Sequence, residues 1–259
     1  MKEIKAEVLK FKNTTAMYVL FLSPLFFLGF ALFTALFAQS SPNKDDISPF
    51  LSLLFNLWPY FVMPIIICIA CSSMIGIEKR NGLFNYYVSN NWSINKMIKS
   101  KILIMSIALL LHTIIMFLVA LTGNMLVGGN SINLFLILVT LFLVFFVSLP
   151  LIPINFILVK CFGVFLSIFL NIALTLISII FITMSKFFWI TPWSYIGRIP
   201  LITLSLNPNG TLMSKNSSYF NDLNSLALTI IVSIIYFSIF FMSNNKKSWN
   251  INEKSVRKY

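Results

Sequence analysis

The chain has 259 residues, 58% of them hydrophobic and 10% charged, with a mean hydropathy of +0.91. A water-facing surface draws on roughly 25% charged residues, so a soluble domain is excluded and the chain reads as an all-α integral membrane protein, counted in spans. The formal charge of +12 does not indicate nucleic acid, because most Lys and Arg flank apolar stretches, where they set topology and meet anionic lipid.

Residues 1–15 alternate Lys2, Lys5, Lys10 and Lys12 with Glu3 and Glu7, while Ile4, Val8 and Phe11 repeat at helical spacing. This stretch is too polar for a signal sequence. It predicts an amphipathic helix on the membrane surface, with Ile4, Val8 and Phe11 as its apolar stripe. The first span follows near 16–37 without a charge, long enough for the roughly 30 Å hydrocarbon core. Pro24 lies inside it and predicts a kink, tolerated where a neighbour satisfies the freed carbonyl. The loop that follows holds Lys44, Asp45 and Asp46, is net acidic, and belongs outside.

The second span is read near 50–77 and carries Pro59 and Pro64, with Trp58 and Tyr60 suited to the outer interface. It leads into the most basic internal part of the chain, where Lys79, Arg80, Lys96, Lys99 and Lys101 stand against one acid, Glu78. A loop this basic stays in the cytoplasm. Leu83, Phe84, Tyr87 and Val88 give a short helix one apolar face, expected to receive another subunit. Asn90 and Asn91 predict a turn. Ser93 then reads as an N-cap, with Trp92 and Met97 as a hydrophobic staple.

The third span, near 102–121, contains His112, the single histidine of the chain. With no partner acid, Cys or second His in any span, it reads as a neutral, hydrogen-bonded side chain and not as a relay. Gly128 and Gly129 mark a short outer turn. The fourth span is read near 132–154, bent or ended by Pro150 and Pro153. A tight inner turn at Lys160 follows, then a fifth span near 162–185. Residues 186–224 combine Trp189, Trp193, Tyr195 and Tyr219 with repeated Pro and Gly. They are too apolar for a solvated loop and too broken for a span. The expectation is a re-entrant segment in the outer interface, with Trp189, Trp193 and Tyr195 as candidates for an outer gate or substrate contact. The last span lies near 225–242, and the basic tail after it belongs inside with the N-terminus.

The three cysteines include a C-x-x-C at Cys68 and Cys71, set in an uninterrupted apolar helix where a thiolate is costly. All three read as packing residues. No catalytic residue and no metal-ligand set stands out. Span centres carry no Asp, Glu, Lys or Arg, and no phosphate-binding G-x-x-x-x-G-K-[ST] loop occurs. Without intramembrane acids the chain also lacks the usual coupling groups of an ion-driven carrier. Energy must therefore arrive through a partner, and the basic, aromatic loop at 78–101 is its natural contact.

The opening Glu78-Lys79-Arg80-Asn81-Gly82-Leu83, the amphipathic N-terminal helix, the six predicted spans and the broken aromatic segment before the last span together resemble the ABC-2 type permeases. Glu78 and Gly82 resemble that family's entry into a cytoplasmic coupling helix, although Leu83-Phe84 stand where Thr-Leu is usual. The length and short loops resemble the lantibiotic (bacteriocin) immunity permeases. The resemblance implies a single transmembrane domain in a bacterial cytoplasmic membrane that is not an enzyme by itself. It implies two copies of a separate ATP-binding subunit carrying ATP and Mg, and a second permease chain, as a heterodimer in preference to a homodimer. It also implies an amphiphilic peptide as cargo. Glu78, Lys79, Arg80, Gly82, Leu83, Phe84, Tyr87 and Val88 would then form the coupling site, with Gly82 allowing close backbone approach. The alternatives are a non-transporting peptide sensor or assembly factor, and an exporter of another lipid-like or drug substrate.

Overall fold

The structure is a computed structural model that describes residues 2–12, 14–37, 48–90, 93–127, 133–214, 217 and 222–244, with backbone only for 2, 3, 84, 85 and 88. The predicted loop at Lys44, Asp45 and Asp46, the Gly128-Gly129 turn, Trp92 with its staple, and the basic tail lie outside the described residues. Apart from one antiparallel bridge between Leu206 and Leu212, the described elements are helical. They are α1 (Lys2–Phe11), α2 (Thr15–Phe37), α3 (Pro49–Leu57), α4 (Met63–Arg80), α5 (Leu83–Ser89), α6 (Ile94–Leu126), α7 (Leu134–Ser148), α8 (Leu151–Ile177), α9 (Pro192–Thr203) and α10 (Leu223–Ser243).

Among the described residues, five stretches are long and apolar enough to cross a membrane: Thr15–Phe37, Pro49–Arg80, Ile94–Leu126, Leu134–Ile182 and Leu223–Ser243. Prolines shape them. In Pro49–Arg80, Pro59 and Pro64 lack the N–H that an α-helical ladder needs. The chain widens there into one π turn, Trp58–Val62, closed by Met63 N–H donating to the Trp58 carbonyl. In α2, Pro24 leaves the Leu20 carbonyl without its partner four residues on. His112 of α6 supplies one: its Nδ1 lies 2.8 Å from the Leu20 oxygen, while Trp58 Nε1–H donates to His112 Nε2 at 3.0 Å. An indole can only donate. Nε2 therefore carries no proton, Nδ1 carries it, and the imidazole is neutral. The same logic recurs at Pro150, whose missing N–H frees the Phe146 carbonyl for the Ser233 hydroxyl of α10 at 3.2 Å.

The stretch Leu134–Ile182 has 49 residues, which as one straight helix would measure ~74 Å. It does not run straight. Asn171 Nδ2 donates to Asn155 Oδ1 at 2.7 Å, although sixteen residues of helix would separate the two by ~24 Å. The chain doubles back between them at Gly163, whose φ of 78° and ψ of 179° only glycine adopts readily. The reversal sits at Gly163, three residues past the expected Lys160. At Pro150 the chain bends and goes on, with helical dihedrals at Leu149 and Pro150.

Two expectations are corrected. On α1 the inner face is Ile4, Glu7, Lys10 and Phe11, and Val8 is turned outward with Leu9 at 49% and 72% exposure. Glu7 displaces Val8 from the inner stripe because it finds buried cations there. Cys68 and Cys71 are buried as packing residues, but Cys161 is exposed, because the Gly163 reversal leaves it on an outer flank.

Candidate functional site

The predicted coupling loop is built as a helix–turn–helix. The C-terminal end of α4 stops at a turn in which Asn81 N–H donates to the Ile77 carbonyl and Gly82 N–H to the Lys79 carbonyl. Gly82 takes φ +61°, the left-handed conformation that ends many helices. A side chain built at Gly82 would meet nothing within 4 Å. Within the chain its requirement is thus the positive φ. α5 follows, and Ser93 begins α6 as expected, its hydroxyl accepting from Lys96 N–H at 3.4 Å.

Glu78 is fully buried at the base of this turn. Its Oε1 lies 2.7 Å from Lys101 Nζ and 3.1 Å from Lys10 Nζ. Glu7 completes a four-membered ionic cluster, 2.7 Å from Lys10 and 2.5 Å from Lys101. Two acids and two bases cancel, which permits burial that neither sign would tolerate alone. Tyr87 of α5 adds its hydroxyl to Lys10, and the Lys10 ammonium lies 5.1 Å from the Tyr87 ring centroid. Burial works against charge on Lys10, but hydrogen bonds to Glu7 and Tyr87 outweigh it and hold its pKa above the usual lysine value. Burial likewise pushes the Tyr87 phenol up to about 12, so it remains a neutral partner. The cluster ties α1, α4, α5 and α6 together where the bundle meets the coupling loop.

The face of α5 expected to receive a partner is turned inward where its side chains are described. Tyr87 is 4% exposed, and Leu83 is half-buried against the core. Lys79, Arg80 and Tyr86 are exposed around the Gly82 turn. The side chains of Phe84 and Val88 lie outside the described set. Glu7, Lys10 and Lys101 were not legible as members of this site. One signal was present in the sequence: Glu7 and Lys10 fall three residues apart on the stripe that also holds Ile4 and Phe11.

On the opposite side, α9 is buried from Pro192 to Ile202, packed against α7, α8, α10 and the π turn of the second stretch. Of the three aromatic residues singled out there, Trp193 and Tyr195 are buried, whereas Trp189 is 44% exposed. Trp193 Nε1–H donates to Asn171 at 3.0 Å, and Tyr195 donates to the Trp189 carbonyl at 2.5 Å. These two hold α9 in place, which leaves Trp189 as the accessible member. Arg198, buried in α9, donates to the Thr183 carbonyl at 2.9 Å and Ser225 at 3.0 Å, and sits 4.5 Å from the Phe188 ring centroid. Asp222, 3.7 Å from Arg198, is held below the usual carboxylate range by Ser225, whose hydroxyl and N–H both donate to it.

A bundle of helices long and apolar enough to span a membrane, with a buried charge cluster behind a helix–turn–helix, has the form of a multi-pass membrane subunit. The family described as ABC-2 family transporter protein matches residues 3–181. The chain belongs to the ABC-2 transporter family, whose permeases work with an ATP-binding subunit. No curated protein and no solved structure matches the chain.

Proposed function

We propose that the chain is the permease subunit of an ATP-driven exporter that expels an amphiphilic antimicrobial peptide of the lantibiotic type from the membrane and so confers resistance. The observation that carries the exporter reading is the ionic cluster: Tyr87 on the cytoplasmic helix meets Lys10, and through Glu7 and Glu78 this contact reaches Lys101 at the base of α6. A push on α5 is passed to α4 and α6 through charge-assisted hydrogen bonds. The Gly163 reversal divides Leu134–Ile182 into two crossings. The topology is then six spans with both termini in the cytoplasm of a bacterium, α1 on the inner surface and α9 re-entrant from outside. Two ATP-binding subunits and a second, related permease chain complete the assembly. Lys79, Arg80 and Tyr86 form the face that an ATPase would engage, and Trp189 is the residue left to touch cargo at the outer mouth.

The test is co-purification from the native host followed by ATP-dependent release of cell-bound peptide. An ATP-binding subunit retained by the wild type and lost in Tyr86→Asp, with unchanged thermal stability, is the expected result. A partner-free preparation refutes the exporter reading. A retained ATPase without peptide release refutes the peptide cargo and favours another lipid-like substrate.

A further inference from the structure

A crevice of about 520 Å³ opens where the α1–α2 junction faces α4. One side of α4 lines it with Ile69, Ser72, Ser73, Gly76, Ile77 and Arg80, a helical stripe of mostly small or hydroxylated residues. Lys12, Thr14 and Thr15 form the facing wall beside Lys10. Lys10 is committed to the ionic cluster, but Lys12 and Arg80 are exposed and have no acidic partner among the described residues. Among the described residues no Asp or Glu lines the crevice.

Arg80 and Lys12 stand at the cytoplasmic mouth, the hydroxyls of Ser72, Ser73, Thr14 and Thr15 lie further in, and Ile69 sits ~16 Å below Arg80 along the helix axis. Ile77, one turn from Arg80, and Val164, beside the Gly163 reversal, add two further apolar contacts. A basic rim beside hydroxyls and apolar side chains matches one kind of molecule, an anionic headgroup that continues into an acyl chain. The volume supports this. Pockets of roughly 300–1,000 Å³ take ligands of drug size, and a five-heavy-atom phosphate ion would leave most of 520 Å³ empty.

We infer that this crevice binds the phosphate-bearing headgroup of an anionic phospholipid from the cytoplasmic leaflet, with Lys12 and Arg80 as the phosphate ligands. The inference rests on the membrane placement of α2 and α4 and on the proposed orientation with the α1 side in the cytoplasm. It stands whether or not the exported cargo is a peptide.

The test uses the purified full-length chain in nanodiscs of phosphatidylglycerol and phosphatidylcholine at one to three, with retained lipid counted by native mass spectrometry. The wild type should retain phosphatidylglycerol over phosphatidylcholine. The Lys12→Gln/Arg80→Gln variant should lose at least fivefold of that preference. Lys5→Gln/Lys96→Gln removes the same charge outside the crevice and should change it less than twofold. Gly76→Leu offers a test at constant charge: a Cβ at Gly76 meets nothing within 4 Å, so the added side chain starts into the open crevice and should expel the lipid while the melting temperature holds. Equal loss in both double variants, or lipid retained in Gly76→Leu, overturns the site. Full competition by inorganic phosphate assigns it to a free anion and overturns the lipid.

Discussion

Lys101→Met removes one cation from a buried cluster of two acids and two bases. In the wild type Lys101 is 3% exposed and lies 2.5 Å from Glu7 and 2.7 Å from Glu78. In the variant, both carboxylates must share Lys10, and one negative charge stays uncompensated. Breaking a buried pair by removing one partner costs about 3–5 kcal/mol, whereas a screened surface pair is worth about 0–1 kcal/mol. The two cases separate clearly. At a few degrees per kcal/mol for a chain of this size, the melting temperature should fall by ~10 °C. The chain supplies its own probe. Cys68 and Cys71 are buried and Cys161 is exposed, so in a Cys161→Ser background a thiol-reactive fluorophore reports unfolding through Cys68 and Cys71. Adding Glu78→Gln to Lys101→Met removes the orphan charge and should recover more than half of the loss. A drop of less than 2 °C for Lys101→Met, or no recovery in the double variant, would show that solvent screens the cluster and refute its role as a buried link.

Three further outcomes are expected. His112→Phe leaves the Trp58 indole N–H without its acceptor and the Leu20 carbonyl with only the Ser23 hydroxyl at 3.4 Å, and should cost about 2–4 kcal/mol; Pro24→Ala restores an intrahelical donor to Leu20, so the same change in that background should cost less, and equal costs would remove Pro24 from the explanation. Gly163→Ala places a side chain at φ 78° and should destabilise by roughly 1–3 kcal/mol in the same melt, whereas an unchanged melt would mean that the reversal tolerates any residue. Gly197→Ala would put a Cβ 1.9 Å from the Tyr60 ring, so it should lower the yield of folded protein, with Tyr60→Leu restoring it; a well-folded single variant would contradict the close packing of α9.

Much of the architecture was legible because apolar length and flanking charge are local properties of a sequence. The cost of bringing backbone into lipid forces uninterrupted helices, so Thr15–Phe37 and Leu223–Ser243 fall within two residues of the stretches read from composition. The Ser93 cap was readable for a similar reason, since a hydroxyl three residues before an amide acts within one turn. The prediction that a neighbour would satisfy the carbonyl freed by Pro24 also followed from covalent structure.

Only the tertiary structure decided which neighbour that is. His112 and Leu20 are 92 residues apart, and no periodicity links them. The same holds for Glu7 and Lys101, which read as an acid of a surface helix and a loop cation until four helices converge and exclude water around them. Burial also decided where Tyr87 of α5 lies. Tyr87 on a short amphipathic helix suits a partner's groove or its own bundle equally well, and it turns inward because Lys10 waits there. A sequence states what each helix can bury; which charges meet is set by how the helices cross, because an ion pair gains its strength from exclusion of solvent by residues far away along the chain.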